Sequence, residues 1–347
     1  MKRFLPVIGM FLIGMLSLSG LTNIAHAIEY PLPPANSRLI GVNSTYIVPD
    51  DGLPLEAIAA KYQIGLLAML EANPGIDPYL PEPGTELIIP SQMLLPDTLR
   101  QGIVINLAEL RLYYFPEGKN DVVVYPIGIG QLGRNTPTMT TSVSQLIKNP
   151  TWTPTVNIRK DYASRGIILP AVIPAGPDNP MGDFALRLAA GRGEYLIHGT
   201  NANFGIGMRV SSGCIRLRPD DIEDLFRTVP RGTRVQVINE PVKYTVEPDG
   251  KRYVEVHQPL SNKETDDPQT MPIPRTEGLV EFINNRETDG ALVEQAIIRR
   301  SGMPVQMNAG SVTNSQAARP IENTEDAIKP VKIPPLHQPG PIYRPET

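Results

Sequence analysis

The sequence predicts two joined folds: a mainly β domain over 99–239, sandwich-like or an irregular barrel with a short helix, and a small α+β module over 43–92. Three observations predict them. Apolar runs of about five residues, broken by Gly- and Pro-rich turns, recur from Gln101 to Ile238. Proline is abundant, 37 of 347 residues, and aromatics are only 6%, which favours extended segments and short strands over a helical bundle. Helical spacing is confined to short stretches, two of them close together near the start. The length exceeds what one small core organises. Lys and Arg number 32 against 36 Asp and Glu, so charge makes no case for nucleic acid.

The chain opens with Lys2 and Arg3, an apolar run from Leu5 to Leu21, and the small-x-small triplet Ala25-His26-Ala27. This pattern predicts a secretory signal peptide over 1–27; an uncleaved membrane anchor is the alternative. Residues 28–42 read as an extended leader, because Pro31, Pro33 and Pro34 forbid a helix.

Within 43–92, Tyr46-Ile47-Val48 is a short strand stopped by Pro49. Asp51-Gly52 turns the chain, Pro54 suits a helix start, and Leu55, Ile58, Ala59 and Tyr62 follow at helical spacing. Leu66, Leu67 and Leu70 mark a second helix that ends before Asn73-Pro74-Gly75. After the Pro83-Gly84 turn, Glu86 to Ile89 is a closing strand.

From Gln101 the strands Ile103–Leu107, Leu110–Phe115 and Asp121–Pro126 follow in turn. The glycines at 128, 130 and 133 lack the helix and the Lys-Ser/Thr of a phosphate loop, so a tight turn of the β domain is the better reading. The Pro-rich stretch 150–184 reads as a long irregular lid or substrate loop. Pro219 and Asp220 open a helix with Ile222, Leu225, Phe226 and Val229 on its apolar face, and Thr233–Ile238 is a last strand. Over 240–302 a hairpin turns at Asp249-Gly250 and one short helix carries Leu292, Val293, Ala296 and Ile297. Residues 303–347 read as a Pro-rich tail without a packed core.

The chemistry centres on Val210-Ser211-Ser212-Gly213-Cys214-Ile215-Arg216, which holds the single cysteine. A secreted protein normally pairs its cysteines, and an unpaired thiol is open to oxidation, so keeping one suggests catalysis. Of the four histidines, His26 lies in the signal peptide, His337 in the tail and His257 at the end of the late hairpin. His198, at the end of the run Tyr195-Leu196-Ile197, is the candidate base by elimination. An imidazole can take the proton of a thiol that is mostly protonated at neutral pH. The Gly213 and Cys214 amides suit an oxyanion. Arg216 could hold a substrate carboxylate or brace the site through a buried pair. One Cys and the three histidines beyond the signal peptide form no metal-ligand cluster, so no metal or other cofactor is expected.

Two resemblances then come into view. Tyr46-x-Val48, Ile58-Ala59, Asn73-Pro74, Pro83-Gly84 and Ile88-x-Pro90 resemble the marks of the LysM module. That implies binding of N-acetylglucosamine-containing glycans such as peptidoglycan; a ligand-free spacer is the alternative. His198-Gly199-Thr200 followed by Ser211-Ser212-Gly213-Cys214-Ile215-Arg216-Leu217 resembles the signature of the YkuD-type L,D-transpeptidases. The stretch His198–Arg218 is most similar to their ErfK/YbiS/YcfS/YnhG branch. Ser212 departs from the His or Asn of many members.

The resemblance implies a YkuD-like fold, a periplasmic enzyme and a two-step acyl transfer on peptidoglycan. Cys214 attacks the diaminopimelate carbonyl of a tetrapeptide stem, D-Ala leaves, and an amine resolves the thioester. His198 acts as base and acid, with the Gly199 carbonyl orienting it. The branch implies the C-terminal Lys of a Braun-type outer-membrane lipoprotein as acceptor. A second stem amine, giving 3–3 cross-links, and water, giving carboxypeptidase or lipoprotein release, are the alternatives. A wall-binding protein without catalysis is a further reading.

Overall fold

The structure is a computed structural model and describes residues 27–202 and 204–310. The signal peptide over 1–27 and the tail beyond 310 lie outside the described residues, save Ala27. No helix among those described is long and apolar enough to cross a membrane.

The domain is mainly β, as its sequence implies. Nine strands form one curled sheet in the order Ile28–Pro31, Asp121–Pro126, Arg111–Phe115, Gly102–Asn106, Arg234–Ile238, Met139–Lys148, Phe184–Leu188, Leu196–His198 and Ile215–Arg216. The ten-residue strand Met139–Lys148 does the curling. Its first half pairs with Arg234–Val237, its second with Phe184–Leu188, and the register shifts between Val143 and Gln145. Helix Pro219–Thr228 packs Ile222 and Leu225 into the concave side, against Ile103, Leu112, Tyr125, Leu186 and Ile197.

The other face of the sheet is covered as well. Val104, Tyr113, Phe115, Val122 and Val124 meet Tyr30, Ile40, Met93 and Leu95. Burial on both sides explains why these strands read as continuous apolar runs instead of alternating. The extended leader is part of this arrangement: Ile28–Pro31 adds an antiparallel edge strand to Asp121–Val124.

The module before it is strand, helix, helix, strand. Ser44–Ile47 pairs antiparallel with Glu86–Ile89 over helices Leu55–Lys61 and Leu66–Ala72. Leu55, Ile58, Ala59, Met69, Leu87 and Ile89 fill its core. Asn73 joins helix to strand: its amide donates to the Met69 and Ile88 carbonyls and accepts from Ile88 N–H. The module docks on the β domain. Leu66 and Leu67 N–H donate to the Ile206 and Gly207 carbonyls (3.3 and 3.1 Å). Arg218 donates to Gln63 Oε1 (3.1 Å) and the Ile64 carbonyl (2.8 Å).

Two expectations need correction. The stretch 150–184 is not wholly irregular: Thr155 caps helix Val156–Ser164, accepting from Ile158 N–H. Ile158, Tyr162, Leu169 and Ile173 form a small core of their own with Trp152 and Ile167. The packed C-terminal unit also does not stop at 302. Val305–Gln306 pairs with Arg252–Val256, and Met303, Val305 and Met307 are buried. The unit holds the hairpin Val242–Val246 and Arg252–Val256, helix Gly290–Arg299, and a helix not foreseen, Glu277–Asn284, capped by Thr276. Apolar side chains on the two helices close over the hairpin, and the packing needs Val305 and Met307 to complete it.

Candidate active site

The chemistry sits where the last two strands of the curled sheet run parallel. Ile197 is opposite Ile215 and His198 opposite Arg216. Ile197 and Ile215 are core residues. Side chains alternate along a strand, so His198, Cys214 and Arg216 face the other way. There they line one cavity of about 1080 Å³. The segment 151–165 with its capped helix lines the same cavity through Trp152, Ile158 and Tyr162.

Cys214 is half-buried and its thiol donates to the Glu194 carbonyl at 3.5 Å. Burial pushes the thiol pKa up, while the Leu196 N–H and the Arg216 charge favour the thiolate. His198 is buried, and its Nδ1 lies 2.6 Å from the Gly199 carbonyl oxygen. The Met181 carbonyl oxygen also lies nearby, 3.4 Å from where a Cβ on Gly199 would sit, and favours the protonated ring. Burial and the nearby Arg216 charge push its pKa down to about 4, against the pull of the two carbonyl oxygens. The imidazole is therefore neutral at pH 7, with a proton held towards carbonyl oxygen and a lone pair left for a thiol.

Each supporting residue has a defined place. Gly199 admits no side chain, since a Cβ there would lie 2.9 Å from Ile222. Gly213 has φ +105°, a backbone open to glycine and strained for other residues. Its carbonyl accepts from Thr136 Oγ1 (3.0 Å), which in turn accepts from Gly130 N–H (3.0 Å). Ser211 is buried and its hydroxyl donates to the Cys214 carbonyl. Ser212 is exposed and accepts from Arg134 at 3.2 Å. Arg216 has no carboxylate partner among the described residues, and its buried Nε has no hydrogen bond.

Sequence reasoning missed Arg134, Thr136 and Met181. Nothing local marks them, because their contacts with the site cross 17 to 78 positions. His257, set aside as a base, is buried between Glu71 and Glu255 at 2.9 and 2.7 Å. Glu109, Glu255 and His257 lie close enough to share a metal ion. Cations of the chain already fill that place: Lys243 lies 2.7 and 3.0 Å from Glu109 and Glu255, with Arg111 3.0 and 2.9 Å away.

Three family models match the chain. Residues 100–237 match the L,D-transpeptidase catalytic domain, 55–90 the LysM domain and 241–307 the L,D-transpeptidase C-terminal domain. Three relatives come from Escherichia coli strain K12. The probable L,D-transpeptidase YcfS is 60% identical over 83% of this chain and 91% of its own length. The probable L,D-transpeptidase ErfK/SrfK is 57% identical over 82% and 92%. The probable L,D-transpeptidase YbiS is 54% identical over 83% and 95%. With its catalytic, LysM and C-terminal regions all matched, this chain belongs to the L,D-transpeptidase family.

Proposed function

We propose that the protein is a periplasmic L,D-transpeptidase that cleaves the diaminopimelate–D-Ala bond of a tetrapeptide stem and passes the acyl group to a lipoprotein Lys. The observation that carries the chemistry is the pair His198, at the end of one strand, and Cys214, just before its parallel neighbour, both lining one cavity, with the imidazole neutral and its Nδ1 held by carbonyl oxygen. Turning the thiol from Glu194 towards His198 gives the attacking arrangement; such contacts often tighten only with substrate bound.

In the first step His198 Nε2 takes the thiol proton as sulfur bonds the stem carbonyl carbon. The resulting oxyanion is received by the backbone N–H groups at Gly213 and Cys214. The imidazolium then returns its proton to the departing D-Ala amine, the C–N bond breaks, and a thioester remains. In the second step an acceptor amine adds to the thioester and loses its proton to His198. The C–S bond breaks and the thiolate regains a proton. Arg216, without a carboxylate of its own, receives a carboxylate of the stem. The LysM module holds the glycan. The likeness of His198–Arg218 to the ErfK branch supports the lipoprotein acceptor, and the N-terminal charged and apolar pattern supports the periplasm.

The test is D-Ala release from a tetrapeptide muropeptide by the mature protein, with mass spectrometry of the product in the presence of a Lys-terminated lipoprotein peptide. Release that Cys214→Ala abolishes, with a stem–lipoprotein adduct, is expected. Undiminished release from Cys214→Ala overturns the mechanism. A trimmed stem or a 3–3 cross-link alone overturns the acceptor.

A further inference from the structure

We propose that Asn179 is a positioning residue of the acyl transfer: it ties together the two ends of the segment covering the site and holds the Met181 carbonyl against the His198 ring. The inference rests on the mechanism above.

Asn179 is fully buried although most of its neighbours in the chain are not. Its side chain uses both amide protons and its oxygen. Nδ2 donates to the Pro150 carbonyl (2.8 Å), where the covering segment leaves the sheet, and to the Pro174 carbonyl (3.0 Å), where it returns. Oδ1 accepts from Met181 N–H at 2.9 Å. Its backbone is engaged too: Asn179 N–H donates to Gly176 O (3.0 Å), and Gly182 N–H to Asn179 O (3.1 Å). Asn149 N–H donates to Asp183 O (2.7 Å) just below, closing the neck.

The exit of this neck lies flush on the strand that carries the base. Gly182, at φ +65°, is packed so closely that a Cβ would come within 2.8 Å of Thr200 N. That approach brings the Met181 carbonyl oxygen beside Gly199, 3.4 Å from where a Cβ there would lie, and so next to the His198 ring. A single carbonyl, from Gly199, leaves the imidazole some freedom to turn about χ2. A second acceptor from another segment removes that freedom and keeps Nε2 available for the thiol. The Met181 carbonyl belongs to the backbone and has no side chain to vary. Asn179, bonded to Met181 N–H, is what sets its place. The covering segment and the base are thereby coupled: a neck that opens releases both.

Asn179→Ala and the near-isosteric Asn179→Asp test this in the full mature chain. Asp keeps an acceptor for Met181 N–H and loses both donors to Pro150 and Pro174. Both variants are expected to lower kcat for D-Ala release by about 10- to 100-fold, with KM moved far less. In the His198→Ala background the same substitutions are expected to have no further effect on residual acylation. Imidazole 15N spectra of the variants are expected to show His198 losing its fixed Nδ1–H tautomer.

Folded variants with wild-type kcat and an unchanged His198 tautomer overturn the proposal. So does an effect on KM alone, or a loss that persists undiminished in the His198→Ala background. If Asn179→Ala unfolds, Asn179→Asp carries the same readouts. The tautomer measurement needs no turnover, so it distinguishes failure of this inference from failure of the transpeptidase mechanism, which wild-type D-Ala release reports.

Discussion

Replacing Lys243 with Met should destabilise the protein far more than its distance from the active site suggests. Lys243 is fully buried and ion-pairs with Glu109 at 2.7 Å and Glu255 at 3.0 Å. Glu109 and Glu255 also pair with Arg111, and His257 lies between Glu255 and Glu71. Neighbouring carboxylates push the His257 pKa up to about 9, so it is protonated at neutral pH. Three carboxylates then face three cations, and the group is neutral. It joins all three units: Glu71 from the LysM module, Glu109 and Arg111 from the catalytic domain, and Lys243, Glu255 and His257 from the C-terminal unit. Met keeps the volume and removes one positive charge, leaving a buried carboxylate uncompensated. Breaking a buried pair in this way costs about 3–5 kcal/mol. For a protein of this size that is a fall of roughly 10 °C in Tm. Denaturant and thermal unfolding of the mature chain measure it. The double variant Lys243→Met/Glu109→Gln restores neutrality and should recover much of the loss. A Lys243→Met loss below about 1 kcal/mol, or a double variant worse than the single one, refutes the reasoning.

Further outcomes follow from the same structure. Because His257 has a raised pKa, its contribution to stability is complete below about pH 6.5 and is lost as pH rises through about 9; melting temperatures across that window check it. Because the His198 pKa is pushed down to about 4, acylation by a tetrapeptide stem should persist in mild acid and fall only as pH drops towards 4. In Arg216→Gln the lost positive charge favours the imidazolium, so the acid limb of the pH–rate profile should move to higher pH, with KM for the stem rising. Asp221 is buried without a hydrogen bond, and its pKa is pushed up to about 7. It binds its proton more tightly folded than unfolded, so stability increases as pH falls through 7. Asp221→Asn should raise stability at pH 8, with a ceiling of about 4 kcal/mol, and flatten that dependence, as melting at pH 8 and pH 5 would show.

The sequence by itself determined whatever depends on neighbours along the chain. Apolar runs between Gly and Pro turns marked the strands, and Pro219 with its acidic first turn marked the helix. The Asp249-Gly250 turn marked the late hairpin. Cys214 and His198 were legible because the strand-rich stretch 99–239 holds a single thiol and a single histidine. Two helices were missed for a physical reason: Val156–Ser164 lies among prolines with little apolar periodicity, and Glu277–Asn284 is only eight residues long and packs on the hairpin.

Only the tertiary structure decided what surrounds the thiol and the base. Thr136 meets Gly213 across 77 positions, and Asn179 meets Pro150 across 29. The same holds for charge. Glu71, Glu109, Arg111, Lys243, Glu255 and His257 read along the chain as ordinary polar residues of helices and strands, yet the fold buries them as one neutral group. Curling the sheet and docking the two flanking units places residues far apart in sequence within hydrogen-bonding distance. No periodicity encodes that proximity, since it follows from how the units pack.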